Sequence, residues 1–283
     1  MIMITIKNEF LTVSLDTIGA ELISAVDNKT QKEYIWQGTP SIWNGHAPLL
    51  FPIAGRLRDD SYTYGGKTYS LPKHGFARRS EFSVIRRKTD SVDFALSENE
   101  KTLMVYPFPF YLSAEYRLEG KKLCVSNKVY NRGTETMYFS LGAHPAFNLE
   151  IGGKVVFSEK ERLQTVLTDA YGLDVGLKEL DPMSDTVVID EHIFDADALF
   201  LPNMKSTSAT LVTKDGEEIV RMTYGKVPYL GLWAKPGAPY VCIEPWFGMC
   251  DHYNVSGKIE EKPSILSLEA GKEFIFSYEI EFI

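Results

Sequence analysis

The sequence predicts an all-β protein, a large antiparallel β-sandwich with few short helices. Three observations carry that reading. Short runs of β-branched and aromatic residues recur from one end to the other, many alternating apolar with polar positions, which is the period of a half-buried strand. Pairs of runs are joined by Asn, Asp and Gly turn signals at hairpin spacing. Helical periodicity is scarce outside the less regular stretch 169–197. Regularly spaced strands with little helix between them suit antiparallel layers packed face to face.

Taken in order, residues 2–6 and 11–15 alternate around the Asn8-Glu9 turn. Residues 21–26 follow, and Asp27-Asn28-Lys29 turns the chain into Tyr34-Ile-Trp36. Tyr62-Thr-Tyr-Gly-Gly-Lys-Thr-Tyr69 reads as a tight hairpin on Gly65-Gly66 with aromatic residues on both arms. Runs 82–87 and 92–96 flank Thr89-Asp-Ser91, and runs 111–118 and 123–130 flank Glu119-Gly120. Asn131-Arg-Gly133 leads into Phe139-Ser-Leu-Gly-Ala-His-Pro-Ala-Phe-Asn148. Runs 209–213 and 218–222 flank Lys214-Asp-Gly216, while 230–234 and 240–244 flank Lys235-Pro-Gly-Ala-Pro239. Residues 274–282 alternate almost without a break. No Gly/Ser/Pro-rich linker divides the chain, so residues 1–283 read as one domain.

Composition narrows the function. A net charge of −8 argues against a nucleic-acid or anionic-membrane surface, since either needs a basic patch. No window approaches the roughly 20 apolar residues that span a bilayer, and the first residues show no basic leader with an apolar segment behind it. The three cysteines, Cys124, Cys242 and Cys250, are odd in number and lack metal-ligand spacing. A reducing compartment, and hence a cytoplasmic protein, is the expectation. A small-molecule partner fits; the oligomeric state stays open, a homodimer included.

Few residues carry a chemical signal. Pro145 disfavours an α conformation at His144, which should sit extended at a strand end, placed to give or take a proton. A packed histidine with one bonded nitrogen explains the same pattern equally well. Glu244 interrupts the apolar run Tyr240-Val-Cys-Ile-Glu-Pro-Trp-Phe247, where an ionised group is costly without a partner. It is either a structural ion-pair member or a tuned acid/base. His46 lies in Trp43-Asn-Gly-His-Ala-Pro48 and His74 in Pro72-Lys-His-Gly-Phe-Ala-Arg78. His192 and His252 read as exposed. Arg56, with Arg58, Arg78 and Arg79, reads by itself as surface, and Asp197 as a turn residue. There is no phosphate-cradling glycine loop, nucleophile elbow or zinc-spaced histidine pair.

Gly55-Arg56, Gly66-Lys67, His74-Gly75-Phe76, Gly142-Ala-His-Pro-Ala-Phe147 and a late-strand Glu244, in that order, resemble the aldose 1-epimerases (galactose mutarotases) along the whole length. Within them the chain is most similar to the LacX-like branch. The resemblance implies the galactose mutarotase-like supersandwich and interconversion of the α and β anomers of an aldohexose, galactose or glucose, with no cofactor and no metal. It implies Glu244 as general base on the anomeric hydroxyl and His144 as general acid on the ring oxygen. It also implies His74 and Arg56 as substrate-binding residues, with Asp197 binding sugar hydroxyls and Asp195 as the competing alignment. Hexose-6-phosphate epimerases of the superfamily share the His74–Arg78 run and a basic residue where Lys73 stands, but have an arginine that Asn44-Gly45-His46-Ala47-Pro48 lacks. The resemblance therefore favours a free sugar over a phosphorylated one. Three rivals remain: a glycoside hydrolase using Glu244 with Asp197, a non-catalytic sugar sensor, and a metal site of His46, His74 and His144.

Overall fold

Along Glu273–Phe282 the residues that alternate in sequence alternate in burial. Phe276, Tyr278, Ile280 and Phe282 turn inward, while Glu273, Ile275, Ser277 and Glu279 face solvent. A computed structural model describes residues 2–283, and the same rule organises most of it. Fourteen strands form one sheet. Its neighbours run in the order Leu141–Gly142, Tyr240–Phe247, Tyr229–Trp233, Leu199–Pro202, Lys154–Thr168, Ser208–Val212, Glu218–Thr223, Glu273–Phe282, Lys122–Asn131, Phe110–Glu119, Ser91–Ser97 and Ser83–Arg87. Ala146–Asn148 also pairs with Tyr240–Phe247, and Asp174–Val188 with Lys154–Thr168. Every ladder is antiparallel.

The sheet folds over on itself: Phe247 of Tyr240–Phe247 meets Phe274 and Phe276 of Glu273–Phe282, six strands away in the order, with ring centres 5.1 Å apart. A three-stranded sheet of Met3–Lys7, Leu11–Asp16 and Leu22–Asp27 is separate from it, as are two small ribbons, Met137–Phe139 with Leu266–Leu268 and the Ser61–Tyr64/Lys67–Ser70 hairpin on Gly65-Gly66. Helix is limited to Glu100–Val105, capped by the Asn99 side chain, and three 3-10 turns. The all-β antiparallel sandwich with few short helices is therefore the observed fold. The main core draws on side chains from Ile4 to Phe282. Among the described residues, no helix is long and apolar enough to cross a membrane.

Two stretches differ from the sequence-based expectation. The irregular region 169–197 contains the long strand Asp174–Val188, which hides from a periodicity search because nearly all its residues are solvated. Its partner Lys154–Thr168 is equally long, but register shifts between Val156 and Gln164 break its alternation. Tyr34-Ile-Trp36 forms single bridges rather than a strand, Ile35 meeting Phe147.

The strand Tyr240–Phe247 is buried along all but its last residue. The loop behind it is held by a buried ion pair, Lys262 Nζ to Asp251 Oδ1 at 2.8 Å, and Lys262 also donates to the Met249 carbonyl at 2.6 Å. Asp251 accepts in turn from the Arg58 backbone N–H at 2.9 Å.

Candidate active site

The ladder brings His144 and Glu244 together. Gly142 pairs with Trp246 and Ala146 with Cys242, so His144 falls opposite Glu244. Hydrogen bonds from Ala143 N–H to the Pro245 carbonyl and from Ile243 N–H to the Pro145 carbonyl bracket the pair, each 3.1 Å long. It occupies a non-hydrogen-bonded position, where opposing side chains approach most closely. His144 Nε2 lies 3.2 Å from Glu244 Oε2. On its other side Glu244 pairs with Gly231. A Cβ at Gly231 would stand 3.0 Å from the Glu244 Cβ, so a glycine leaves the carboxylate its room.

Loops deliver the next two residues. His74 (φ 68°) and Asp197 (φ 78°) both adopt the left-handed backbone region, which costs a non-glycine residue about 1–3 kcal/mol and concentrates at functional sites. His74 is fixed by a reciprocal contact: its N–H donates to the Gly55 carbonyl at 2.8 Å, and the Gly55 N–H donates to its Nδ1 at 3.1 Å. With Nδ1 accepting, a neutral His74 carries its proton on Nε2. Gly75 beside it has φ 67°, and a Cβ there would collide with the Phe51 carbonyl oxygen at 2.3 Å.

His74, His144, Asp197 and Glu244 line one cavity of about 250 Å³. Trp43, Trp233, Trp246 and Phe200 form its apolar walls, and Lys73, Arg78 and Lys235 add three cations. Trp43 stacks on His144 with ring centres 5.3 Å apart, and Trp233 meets His144 edge-on at 5.8 Å. A larger groove of about 560 Å³ lies on the main sheet, but ion pairs such as Arg86–Asp93 and Arg117–Glu119 occupy it and it has no histidine.

Arg56, which the resemblance implies as a substrate-binding residue, does not line this cavity: its guanidinium pairs with Asp60 at 2.9 Å and donates to the Tyr171 carbonyl at 3.2 Å. Asp60 is four residues on, the last residue of the 3-10 turn Arg58–Asp60, and captures the side chain locally. Arg78, read from sequence as surface, is the guanidinium at the cavity, where it donates to the Lys73 carbonyl at 3.3 Å. Of the two aspartates, Asp197 lines the cavity, while Asp195 pairs with His192 on the surface at 2.9 Å. His46 is also outside, with its backbone N–H donating to Glu21 at 2.7 Å. Lys235 drew no signal, because only the pairing of Tyr229–Trp233 with Tyr240–Phe247 carries its loop to the cavity mouth.

Burial dominates the electrostatics. Desolvation lifts Glu244 well above the ordinary carboxylate value, with Asp197 pushing the same way and Lys73 opposing. The Trp246 indole N–H also leans toward favouring the carboxylate, although Glu244 Oε1 and Trp246 Nε1 fall short of hydrogen-bond geometry. Desolvation pushes His144 down to about 3 and holds His74 well below 6.5. Burial thus favours the neutral form of each member of the His144–Glu244 pair, an arrangement with one proton on the carboxyl.

A family model described as aldose 1-epimerase matches residues 3–281. The chain belongs to the aldose 1-epimerase family. Within that family it is 34% identical to protein LacX of Lactococcus lactis subsp. lactis, in both plasmid and chromosomal forms, over 98% of either chain. The structure of a galactose mutarotase related enzyme from Lactobacillus acidophilus superposes with a TM-score of 0.93 at 33% identity, covering 100% of this chain and 97% of that one. A galactose mutarotase-like protein from Lactobacillus casei gives 0.94 at 29% identity, covering 99% and 100%. The aldose epimerase family and the mutarotase-like supersandwich were both legible in the landmark residues.

Proposed function

We propose that this family member is an aldose 1-epimerase that interconverts the α and β anomers of a free aldohexose, glucose or galactose, by ring opening and closure. The observation that carries the reading is the 3.2 Å contact between His144 Nε2 and Glu244 Oε2 in the wall of an aromatic-lined cavity. Ring opening removes a proton from the anomeric hydroxyl and adds one to the ring oxygen. Either transfer alone leaves an alkoxide or an oxonium, so an acid and a base must act together. The two sugar oxygens share one carbon, which suits an acid and a base that touch.

In this reading a proton shared by the pair moves across the contact to give Glu244 carboxylate and His144 imidazolium; Lys73 favours the carboxylate and, with Arg78, disfavours the imidazolium, so the mutual attraction of the two charges is what holds this form. Glu244 takes the anomeric proton while His144 protonates the ring oxygen and the C1–O5 bond breaks. The pair still holds one proton, now on Glu244. Rotation about C1–C2 and the reverse transfers close the ring on the other face. His74 Nε2–H and Asp197 bind sugar oxygens, and Arg78 takes the role expected of Arg56. The tryptophan walls suit the apolar faces of a pyranose. A main core that draws on residues from Ile4 to Phe282 supports one domain, and the three unpaired cysteines support a reducing, cytoplasmic setting.

Polarimetry of freshly dissolved α-glucose and α-galactose tests the proposal. The wild type should accelerate mutarotation, and Glu244→Gln should lose roughly 10²–10⁴-fold of the rate. No acceleration of either sugar by the wild type would sink the free-sugar reading. One observation favours a second reading: Lys73, Arg78 and Lys235 share the cavity, a cation set able to hold a sugar 6-phosphate despite the missing arginine near Asn44. A kcat/KM higher for the 6-phosphates than for the free sugars would select it.

A further inference from the structure

Beneath the acid–base pair lies a third group that the proposed reaction does not use. Cys242 is two residues before Glu244 on one strand, so both side chains project to the same face. Cys242 is fully buried, Glu244 is 1% exposed and His144 8%. The cysteine sulfur, one imidazole nitrogen and one carboxylate oxygen of this trio all lie within 4.8 Å of one another. Glu244 Oε1 and His144 Nδ1 have no hydrogen-bond partner. A thiol, an imidazole and a carboxylate converge here on one point.

We propose that Cys242, His144 and Glu244 form a binding site for a thiophilic divalent cation, with Zn²⁺ as the best match, and that its occupation switches the acid–base pair off. The donor set of one sulfur, one nitrogen and one oxygen is of the kind zinc prefers, whereas Mg²⁺ and Ca²⁺ require oxygen ligands. Bonds of about 2.0–2.3 Å in a tetrahedral site set neighbouring ligand atoms about 3.3–3.6 Å apart. The trio must close by roughly one ångström, a movement within reach of side-chain rotation. Three protein ligands leave the fourth position facing the cavity. On binding, the Cys242 thiol becomes a thiolate bonded to the ion and its proton leaves to buffer, as does the proton shared by Glu244 and His144. The metal then holds the lone pairs of both the base and the acid.

Cobalt(II) binding to the free protein tests the site without any sugar. A thiolate-to-cobalt charge-transfer band should appear in the wild type and be missing in Cys242→Ala and in the volume-matched Cys242→Val. The inhibitory consequence rests on the epimerase reading and has its own assay. Zn²⁺ should arrest mutarotation by the wild type, a chelator should restore it, and Mg²⁺ should have no effect. Cys242→Ala should keep its rate and need far more Zn²⁺, by at least the roughly 10–100-fold that loss of an outer-shell partner costs a metal site. Absence of the charge-transfer band in the wild type, or equal zinc sensitivity of wild type and variant, overturns the proposal. A wild-type band without any epimerase activity would leave the metal site standing and remove the functional reading instead.

Discussion

Glu244 and His144 make one titrating unit, and its pH response follows from the environment of each residue. In the free protein the pair holds a single proton. Adding a second means charging His144 beside a protonated Glu244, which burial resists down to about pH 3. Removing the last proton requires ionising Glu244, which burial holds well above 4.5. The expected kcat/KM profile therefore has an acid limb near pH 3 and an alkaline limb above the ordinary carboxylate range. An acid limb centred at the ordinary histidine value of 6.5 would contradict it. The two aspartates provide a second check at this scale. Asp197→Asn should raise KM by about 10-fold or more, the loss of one charge-assisted hydrogen bond, while Asp195→Asn should leave both constants within about twofold. His144 was legible because a proline follows it, and Glu244 because a carboxylate stands out in an apolar run. The position of Arg56 was not legible because a guanidinium in sequence has no address: Asp60, four residues on, pairs with it outside the cavity.

At the scale of strands, the site depends on the ladder between Tyr229–Trp233 and Tyr240–Phe247. Gly231 has no positive φ to explain it, so its role is space: an added Cβ would meet the Glu244 side chain at 3.0–3.6 Å. Gly231→Ala is expected to cost about 1–3 kcal/mol by overpacking, and to lower kcat by displacing the carboxylate. Urea unfolding and initial rates separate the two effects, and a variant with unchanged kcat would refute the spatial role. Strands with one dry face were readable because each side chain reports which face it is on, as Glu273–Phe282 shows. Asp174–Val188 was not, since a strand bathed on both faces has no periodic demand on its sequence, and register shifts against it hid the alternation of Lys154–Thr168. Loop residues such as Lys235 were invisible for a related reason. Their neighbours are set by pairing far along the chain.

For the whole molecule, three buried groups shape stability against pH. At pH between 4.5 and 6.5 the unfolded chain carries protons on His74 and His144 and an ionised Glu244, while burial in the native protein disfavours the charged form of all three. The histidines make stability fall as pH drops below 6.5; Glu244 acts with the opposite sign and offsets part of their effect. Glu244→Gln removes the offset, so its stability should fall more steeply over that range, read from urea midpoints at successive pH values. Equal slopes would argue that the carboxylate is ionised in the native state. The strand Asp174–Val188 is tied to its surroundings at Asp174 but is otherwise paired only with Lys154–Thr168, and it exposes Val175, Leu177, Leu180 and Met183. An open edge of that length is a template for intermolecular pairing and fibril growth. Interspersed with those apolar side chains are Lys178, Glu179, Asp181, Pro182 and Asp185, charges that repel a flat neighbour and a proline with no N–H to offer. These gatekeepers set the edge against adding a strand from a second copy of the chain.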